Sequence, residues 1–287
     1  MLLYTEQLDF AYPDGAPVLS NVNLQLQQGS FTALLGANGC GKTTLFKLLT
    51  GLLKPTGGKV CLDGRDLAGV PARELRRRVG FVFQDPNDQL FSPTVLQDVS
   101  CGPVNLGLGA DDARRIALQC LGRVGMGEVA GRPVHHLSYG QKKRVAIAGI
   151  LAMRPEILIL DEPTAGLDPL GAGELMKLLR QLNTGEGITV LMATHDVDVA
   201  PVYCREIKVL SGGSIILDGP PAAVFQESGR VRQAGLRLPR ITHLFEIACG
   251  NGKRADLPLT IGGGVKWLRK TCPYCATTPE VCFRLRG

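Results

Sequence analysis

A glycine-rich stretch, Gly36-Ala37-Asn38-Gly39-Cys40-Gly41-Lys42-Thr43-Thr44, organises this 287-residue chain. It fits the pattern G-x-x-x-x-G-K-[ST] of a phosphate-binding loop. The segment before it, residues 31–35, is short, apolar and bounded by glycines, which predicts a buried strand. The segment after it, residues 45–49, is predicted to continue as a helix. A strand, a glycine loop and a helix in this order are the setting that the motif needs.

The residue types of this loop suit a nucleoside triphosphate. Glycines let the backbone curl so that successive N–H groups point at one anion, and the helix N-terminus adds partial positive charge. Lys42 is expected to reach the β- and γ-phosphates of the nucleotide, and the hydroxyl of Thr43 is expected to bind Mg²⁺. The alternative is an ordinary glycine turn before a helix. A chance match to the full pattern is rare, so we expect a nucleotide site.

Charge is unevenly distributed along the chain. Residues 1–229 hold 21 Lys/Arg and 23 Asp/Glu, whereas residues 230–287 hold 11 and 3. The near-neutral main part argues against a nucleic-acid partner. The basic tail suits either a solvated surface or a position near an anionic membrane. No stretch approaches the roughly 18 apolar residues of a spanning helix and no signal peptide is recognisable, so we expect a soluble or peripheral protein in the cytoplasm.

Apolar runs alternate with helical patterns along the main part of the chain. Continuous apolar runs at residues 157–160 and 188–193 predict parallel strands that are covered on both faces. Other segments predict antiparallel strands, namely residues 2–10, 18–27 and 57–64 and a hairpin at 207–217. Helical spacing at residues 111–124 and 141–153 predicts an insertion between strands.

This alternation predicts an α/β fold, with a P-loop core on a mostly parallel sheet, an antiparallel β subdomain and a helical insertion subdomain. We expect one domain over residues 1–229, with the helical part at about 85–153. Residues 230–287 are expected to form a small basic extension whose end lacks order. Arg76, Arg77 and Arg78 are expected to form a solvated helix face. Four cysteines in apolar contexts are expected to be buried free thiols: Cys61, Cys101, Cys120 and Cys204.

Polar residues follow three of the predicted strands. Asp161 and Glu162 follow the run 157–160, Gln84 follows a strand at 79–83, and His195 follows the run 188–193. Ligands of open α/β sheets bind at the carboxyl ends of strands. Asp161 is expected to hold Mg²⁺, and Glu162 to orient and polarise the water that attacks the γ-phosphate. His195 and the Gln84 amide are expected to reach the phosphate, the water or Mg²⁺, although either residue could be structural.

Together these motifs resemble the ATP-binding-cassette (ABC) ATPases over about residues 1–225. Leu137-Ser138-Tyr139-Gly140-Gln141 is similar to the family's signature loop, with Tyr139 where glycine is commonest. Asp161 to Pro169 resembles the Walker B motif running into the D-loop. The resemblance implies that Gln84 belongs to the Q-loop, that His195 is the switch histidine and that Tyr12 stacks on adenine. It also implies a head-to-tail pair of chains, a homodimer or a heterodimer, in which Ser138, Gly140 and Gln141 complete the partner's ATP site and Asp168 lies at the seam.

Two segments resemble the importers of cobalt or nickel and the energy-coupling-factor importers: Gln84 to Phe91, and Lys142 to Gly149. This resemblance implies a transmembrane coupling subunit and a membrane protein that captures the substrate, with the ATPase at the cytoplasmic face of the cell membrane. The Gln84 loop and the helical insertion are expected to form the groove for the coupling subunit, near Asn87 to Gln89. Cobalt or nickel is the expected substrate. A vitamin is the alternative.

Other interpretations stay open at this point. A soluble ABC protein of DNA repair or translation, and a phosphate-loop kinase or regulator, compete with the transporter subunit. Near the C-terminus, Cys272 and Cys275 have the spacing of one pair of zinc ligands, and Cys282 follows them. A fourth ligand would be Cys249, His243 or none. A tail without a metal is the favoured interpretation.

Overall fold

The computed structural model describes residues 1–13, 15–249 and 257–271. The strands are β1 (Leu3–Ala11), β2 (Pro17–Val22), β3 (Gln25–Leu26), β4 (Phe31–Leu35), β5 (Gly57–Leu62), β6 (Arg65–Asp66), β7 (Val79–Val82), β8 (Ile157–Asp161), β9 (Thr189–Thr194), β10 (Glu206–Ser211) and β11 (Ser214–Gly219). The helices are α1 (Lys42–Leu49), α2 (Ala72–Arg78), α3 (Val95–Asn105), α4 (Ala110–Arg123), α5 (Tyr139–Leu151), α6 (Pro169–Glu186), α7 (Ala200–Tyr203), α8 (Pro221–Gln226), α9 (Ser228–Gln233), α10 (Arg240–Ala248) and α11 (Ile261–Thr271).

The larger sheet has the order β11-β10-β4-β9-β8-β7. Its five neighbouring strands from β10 to β7 are parallel, and only β11 pairs antiparallel. The carboxyl ends of β4, β7, β8 and β9 therefore meet at one edge of the sheet. A second sheet has the order β2-β1-β5-β6, with β3 also paired to β1, and it is antiparallel. The predicted α/β fold with two kinds of sheet is confirmed.

Alternate residues of β8 belong to two separate hydrophobic clusters. Leu158 and Leu160 pack with the cluster that contains α5 and α6, and Ile157 and Ile159 pack with the cluster that contains α1 and β1. All four side chains are completely buried. Since both faces of this strand are covered, an apolar residue is needed at every position, and the sequence shows an unbroken apolar run.

Three helices form the insertion between β7 and β8. α3, α4 and α5 pack on one another, and α5 also packs on β7. α3 was not predicted, because Gly102 and Pro103 lie inside it and weaken its helical pattern. It is started by a capping box in which Thr94 and Gln97 bond each other's backbone N–H groups. The boundaries proposed for the domain and its helical part stay predictions.

Three expectations from the sequence are corrected. The strand predicted at residues 18–27 is split into β2 and β3, and Asn21, near the end of β2, has a positive φ of 50°. Arg78 is buried rather than solvated, and its guanidinium binds the carboxylates of Glu156 and Asp63. Cys101 is half-buried, whereas the other three cysteines of that set are buried as expected.

The C-terminal extension packs on the core through apolar side chains of α9 and the segment after it: Val231, Ala234, Leu236 and Leu238. Asp198, in the loop after β9, binds this segment by accepting hydrogen bonds from the Arg237 side chain and the Arg240 backbone, both at 2.7 Å. The three cysteines of the predicted metal site, Cys272, Cys275 and Cys282, lie outside the described residues. Within the described ranges, no helix is long and apolar enough to cross a membrane.

Candidate functional site

The loop between β4 and α1 has the shape that its sequence predicts. Gly39 and Gly41 have φ of +79° and +105°, which a residue with a side chain rarely adopts. A Cβ at Gly36 would lie 2.7 Å from the carbonyl oxygen of Leu210, so the loop passes too close to β10 for any other residue. Lys42 starts the helix and turns back over the loop, where its Nζ donates to Gly36 O at 2.9 Å and Ala37 O at 3.1 Å. The ammonium is thereby held inside the curl of the loop.

Two carboxylates from the end of β8 lie beside this loop. Asp161 Oδ2 accepts a hydrogen bond of 2.5 Å from Thr43 Oγ1. Burial raises the pKa of the Asp161 carboxyl, and the hydrogen bond from Thr43 opposes that rise. Glu162 Oε1 lies 3.9 Å from Lys42 Nζ, and Glu162 Oε2 lies 2.7 Å from Nδ1 of His195. The end of β8 thus brings one carboxylate to the threonine of the loop and the other between a lysine and a histidine.

The loop after β7 is anchored to α5. Gln89 accepts a hydrogen bond from Phe83 N at 3.1 Å and donates one to Ala146 O at 3.2 Å. Gln84 itself is exposed at the end of the strand. Gln84, Asp161 and His195 line one cavity, so the three residues lie at the same edge of the sheet.

That cavity has a volume of about 610 Å³. Most of the predicted site residues line it: Tyr12, Asn38, Gly39, Gly41, Lys42, Thr43, Thr44, Gln84, Asp161, Glu162 and His195. Gly36 and Cys40 form the inner wall of the loop behind it, where burial raises the pKa of the Cys40 thiol. Val18 and Ala165 also line the cavity and were not predicted, since neither side chain carries a chemical signal.

Tyr12 lies at the mouth of the cavity. Its hydroxyl is 3.3 Å from Thr44 Oγ1, and its ring packs edge-on against Phe10 with the ring centres 4.9 Å apart. The side chain remains 42% exposed. The ring is therefore partly open to solvent beside the phosphate loop.

Comparisons with known proteins agree on one family. A family model described as ABC transporter matches residues 19–165. The energy-coupling factor transporter ATP-binding protein EcfA of Methanocaldococcus jannaschii is 46% identical over 271 residues, which cover 94% of this chain and 96% of that protein. The chain belongs to the ABC transporter family. The resemblance drawn from the motifs is confirmed.

Solved structures of ABC proteins are similar along most of the chain. The structure of cbiO1 from Clostridium perfringens, part of the ABC transporter complex cbiONQ, has a TM-score of 0.73 and 47% identity and covers 85% of this chain and 98% of its own. A dimeric ABC cassette in a post-hydrolysis state with ADP and Pi has a TM-score of 0.69 and 32% identity, and it covers 77% and 99%. This chain is accordingly an ATP-binding and ATP-hydrolysing subunit of the energy-coupling-factor and CbiO type.

The signature loop of this ABC ATPase lies apart from its own cavity. Ser138 caps α5, where its Oγ accepts from Gln141 N at 3.3 Å and Gln141 Oε1 accepts from Ser138 N at 3.0 Å. Ser138 and Asp168 are exposed, and Asp168 caps α6 by accepting from Gly171 N at 2.8 Å. Neither these residues nor Gly140 are among those that line the cavity of the described chain. Within the described residues, they therefore take no part in lining the cavity of their own chain.

A second concavity of about 660 Å³ lies among α2, the end of α3 and the start of α4. Its floor is apolar, with Pro103, Leu106, Ile116 and Met153, and its rim is mostly basic, with Arg73, Arg77, Arg115 and Arg154. It is not the groove predicted between the Gln84 loop and the helical insertion, because no residue from Gln84 to Phe91 lines it. In the Gln84 loop, Asn87 Oδ1 accepts a hydrogen bond of 2.8 Å from Lys142.

Sequence reasoning missed Lys143, which is buried beside the site. It lies on α5 in line with Ala146, Ile147 and Ile150, so its place on the apolar face was visible in the helical spacing. A charged residue on an otherwise apolar stripe is the signal that could have identified it.

Proposed function

We propose that Glu162 is the general base of ATP hydrolysis in this ABC ATPase. The observation that carries the proposal is the position of its carboxylate, buried between Lys42 at 3.9 Å and His195 at 2.7 Å and open to the nucleotide cavity. From that position it can accept a proton from a water that attacks the γ-phosphate. Lys42 and the N–H groups of the loop bind the phosphates, and Tyr12 packs on the adenine.

Mg²⁺ fits the oxygen atoms that meet beside Thr43. Thr43 supplies a hydroxyl, Asp161 a carboxylate and Gln84 an amide oxygen, and hard oxygen ligands of this kind suit Mg²⁺. When bound, the ion neutralises charge on the β- and γ-phosphates. The Thr43 hydroxyl and the Asp161 carboxylate are joined by a hydrogen bond of 2.5 Å, so these two ligands are positioned together before the ion binds.

We infer that two chains, identical or different, enclose two ATP molecules. The exposed Ser138 and the half-buried Gly140 and Gln141 present a hydroxyl and N–H groups at the start of α5, which suits a phosphate. They serve the partner's nucleotide, and Asp168 lies at the seam between the chains. Binding of ATP then closes the pair, and hydrolysis reopens it.

The partner in the membrane is, in this proposal, a transmembrane coupling subunit, and a further membrane protein captures the substrate. The cytoplasmic helices of the coupling subunit dock, in this proposal, in the groove between the Gln84 loop and the helical insertion, near Asn87 to Gln89. Gln89 joins this loop to α5 by donating a hydrogen bond to Ala146 O, so a change at the nucleotide site would pass to such a helix. The ATPase accordingly works at the cytoplasmic face of the cell membrane.

The substrate that we propose is cobalt or nickel, and a vitamin is the alternative. The Gln84–Phe91 and Lys142–Gly149 segments resemble both groups of importers. Co-expression with the membrane proteins encoded beside this chain, followed by uptake of radioactive cobalt, nickel and vitamins into vesicles, would identify the substrate. Uptake of a vitamin without uptake of either metal would select the alternative.

The assignment of Glu162 is tested by Glu162→Gln. This substitution keeps the shape but removes the basic carboxylate, so turnover should fall by on the order of 10²-fold or more. Light scattering with ATP and Mg²⁺ should find a stable pair of chains for this variant. Glu128→Gln, at an exposed position outside the site, is the matched control. Undiminished hydrolysis by Glu162→Gln would remove Glu162 from its role.

A further inference from the structure

Lys143 is a buried lysine that the catalytic scheme above does not use. It lies on α5, the helix that begins at the signature loop, and only 2% of the residue is exposed. Nζ donates to the backbone carbonyl of Glu162 at 3.0 Å and to that of Pro163 at 2.9 Å. Among the ion pairs of the described residues none involves Lys143, so these two carbonyl groups are its direct partners. The ammonium thus binds the backbone of the residue whose side chain is the proposed base.

The backbone at Glu162 needs such support. Glu162 has a φ of +45°, a conformation that costs a residue with a side chain roughly 1–2 kcal/mol. Strained conformations of this kind persist only where the surroundings hold them. Glu162 N donates to Ala193 O, and Glu162 O accepts from Ala165 N, both at 3.1 Å. Lys143 donates a second hydrogen bond to the Glu162 carbonyl oxygen and one to that of Pro163, and it is the one side chain among these contacts.

Tyr139 covers Lys143 and joins it to the Q-loop. Lys143 Nζ lies 5.4 Å from the centre of the Tyr139 ring, within reach of a cation–π interaction. The Tyr139 hydroxyl donates to the backbone carbonyl of Gln84 at 3.3 Å. A Cβ at Gly166 would lie 2.8 Å from the same ring, so the ring fills the space against the D-loop. Tyrosine at this position of the signature therefore contacts Lys143, the backbone of the Q-loop and the D-loop of its own chain.

We propose that Lys143 is a positioning residue for catalysis, which holds the Glu162 turn so that the carboxylate stays between Lys42 and His195. The inference rests on the proposed role of Glu162. It has a structural consequence for the pair of chains. In each chain, α5 begins at the signature loop, which completes the nucleotide site of the partner chain. The same helix carries Lys143, which bonds the backbone of Glu162 in its own nucleotide site. The two sites are therefore connected through α5.

The first experiment measures ATP hydrolysis by the purified full-length chain. Lys143→Met removes both hydrogen bonds and keeps most of the side-chain volume. Because a displaced catalytic group can cost up to 10²-fold in rate, we expect kcat to fall by about 10-fold or more while KM for ATP changes by less than about 3-fold. Lys143→Gln keeps an NH₂ donor on a shorter side chain and should give an intermediate kcat. Lys208→Met is the matched control, since Lys208 is equally buried but pairs with Asp218 on β11.

A double-mutant cycle then separates positioning from general damage. If Lys143 acts through the Glu162 carboxylate, Lys143→Met should lower single-turnover hydrolysis by less than about 2-fold in a Glu162→Gln background. An equal loss in both backgrounds, or no loss in the wild type, would overturn the inference. If Lys143→Met does not fold, Lys143→Gln is carried through the same cycle with the same criteria. Full activity of Glu162→Gln alone would instead overturn the proposed function, so the two failures are distinguishable.

Discussion

Nδ1 of His195 lies 2.7 Å from Oε2 of Glu162, although the two residues follow different strands of the sheet. The Glu162 side chain is 9% exposed, whereas that of His195 is 59% exposed. The imidazole therefore reaches from the mouth of the cavity to a buried carboxylate. In this position it can orient the carboxylate with one nitrogen while the residue also lines the cavity.

His195→Ala should lower kcat for ATP by about 10²-fold, the lower end of what positioned proton-transfer groups contribute. Its affinity for ATP should change little, because the loop and Lys42 still bind the phosphates. Steady-state hydrolysis and equilibrium nucleotide binding would measure the two quantities separately. His136→Ala, at an exposed position before the signature, is the control. A loss of ATP affinity at constant kcat would contradict this role.

Asp161→Asn and Thr43→Val should raise the concentration of Mg²⁺ that half-activates hydrolysis, by about 10-fold or more. The reason is that each removes one oxygen ligand or the group that orients it. Titration of hydrolysis with Mg²⁺ at fixed ATP would measure the shift. Asp66→Asn, at the exposed strand β6, should leave the titration unchanged. If the titration curves of all variants coincide with that of the wild type, the proposed ligand set is wrong.

The nucleotide site could be predicted from the sequence because its signals are local. The glycine spacing at residues 36–41 fixes the loop, and strand ends collect Gln84, Asp161 and His195 at one edge of the sheet. The contacts of Lys143 and Arg78 could not be predicted, because their partners lie far along the chain: Glu162 and Pro163 for the lysine, Glu156 and Asp63 for the arginine. Long-range pairing of this kind has no periodic signature.

Arg78 provides a test of such long-range pairing by its effect on stability. Its side chain is 10% exposed and binds two carboxylates, and these interactions raise the pKa of the guanidinium further. Both carboxylates are nearly half exposed, so Arg78→Met should cost only about 1–2 kcal/mol of unfolding free energy. Denaturant titration would measure the loss. Arg76→Met, on the exposed side of the same helix, should stay within about 0.5 kcal/mol of the wild type.

A final prediction concerns stability at alkaline pH, where Lys143 titrates. Burial lowers the pKa of Lys143 to about 8 from 10.5, and the carboxylates of Glu162, Asp85 and Asp161 only partly offset that effect. Between these two values the unfolded chain binds the proton and the folded chain does not. Stability therefore rises with pH wherever the unfolded state holds more protons, by about 1.4 kcal/mol per pH unit for one group.

The wild type should consequently gain stability relative to Lys143→Met as the pH rises from about 8 to about 10.5, by up to about 3 kcal/mol. Unfolding in denaturant at several pH values would measure the difference, in which the titration of all other groups cancels. Below pH 8 the lysine is charged in both states, so the difference should be constant there. If the stability difference between the wild type and Lys143→Met stays constant from pH 8 to pH 10.5, Lys143 keeps an ordinary pKa and its ammonium is hydrated in the folded protein. A difference that falls with pH would have the wrong sign for a buried, desolvated ammonium.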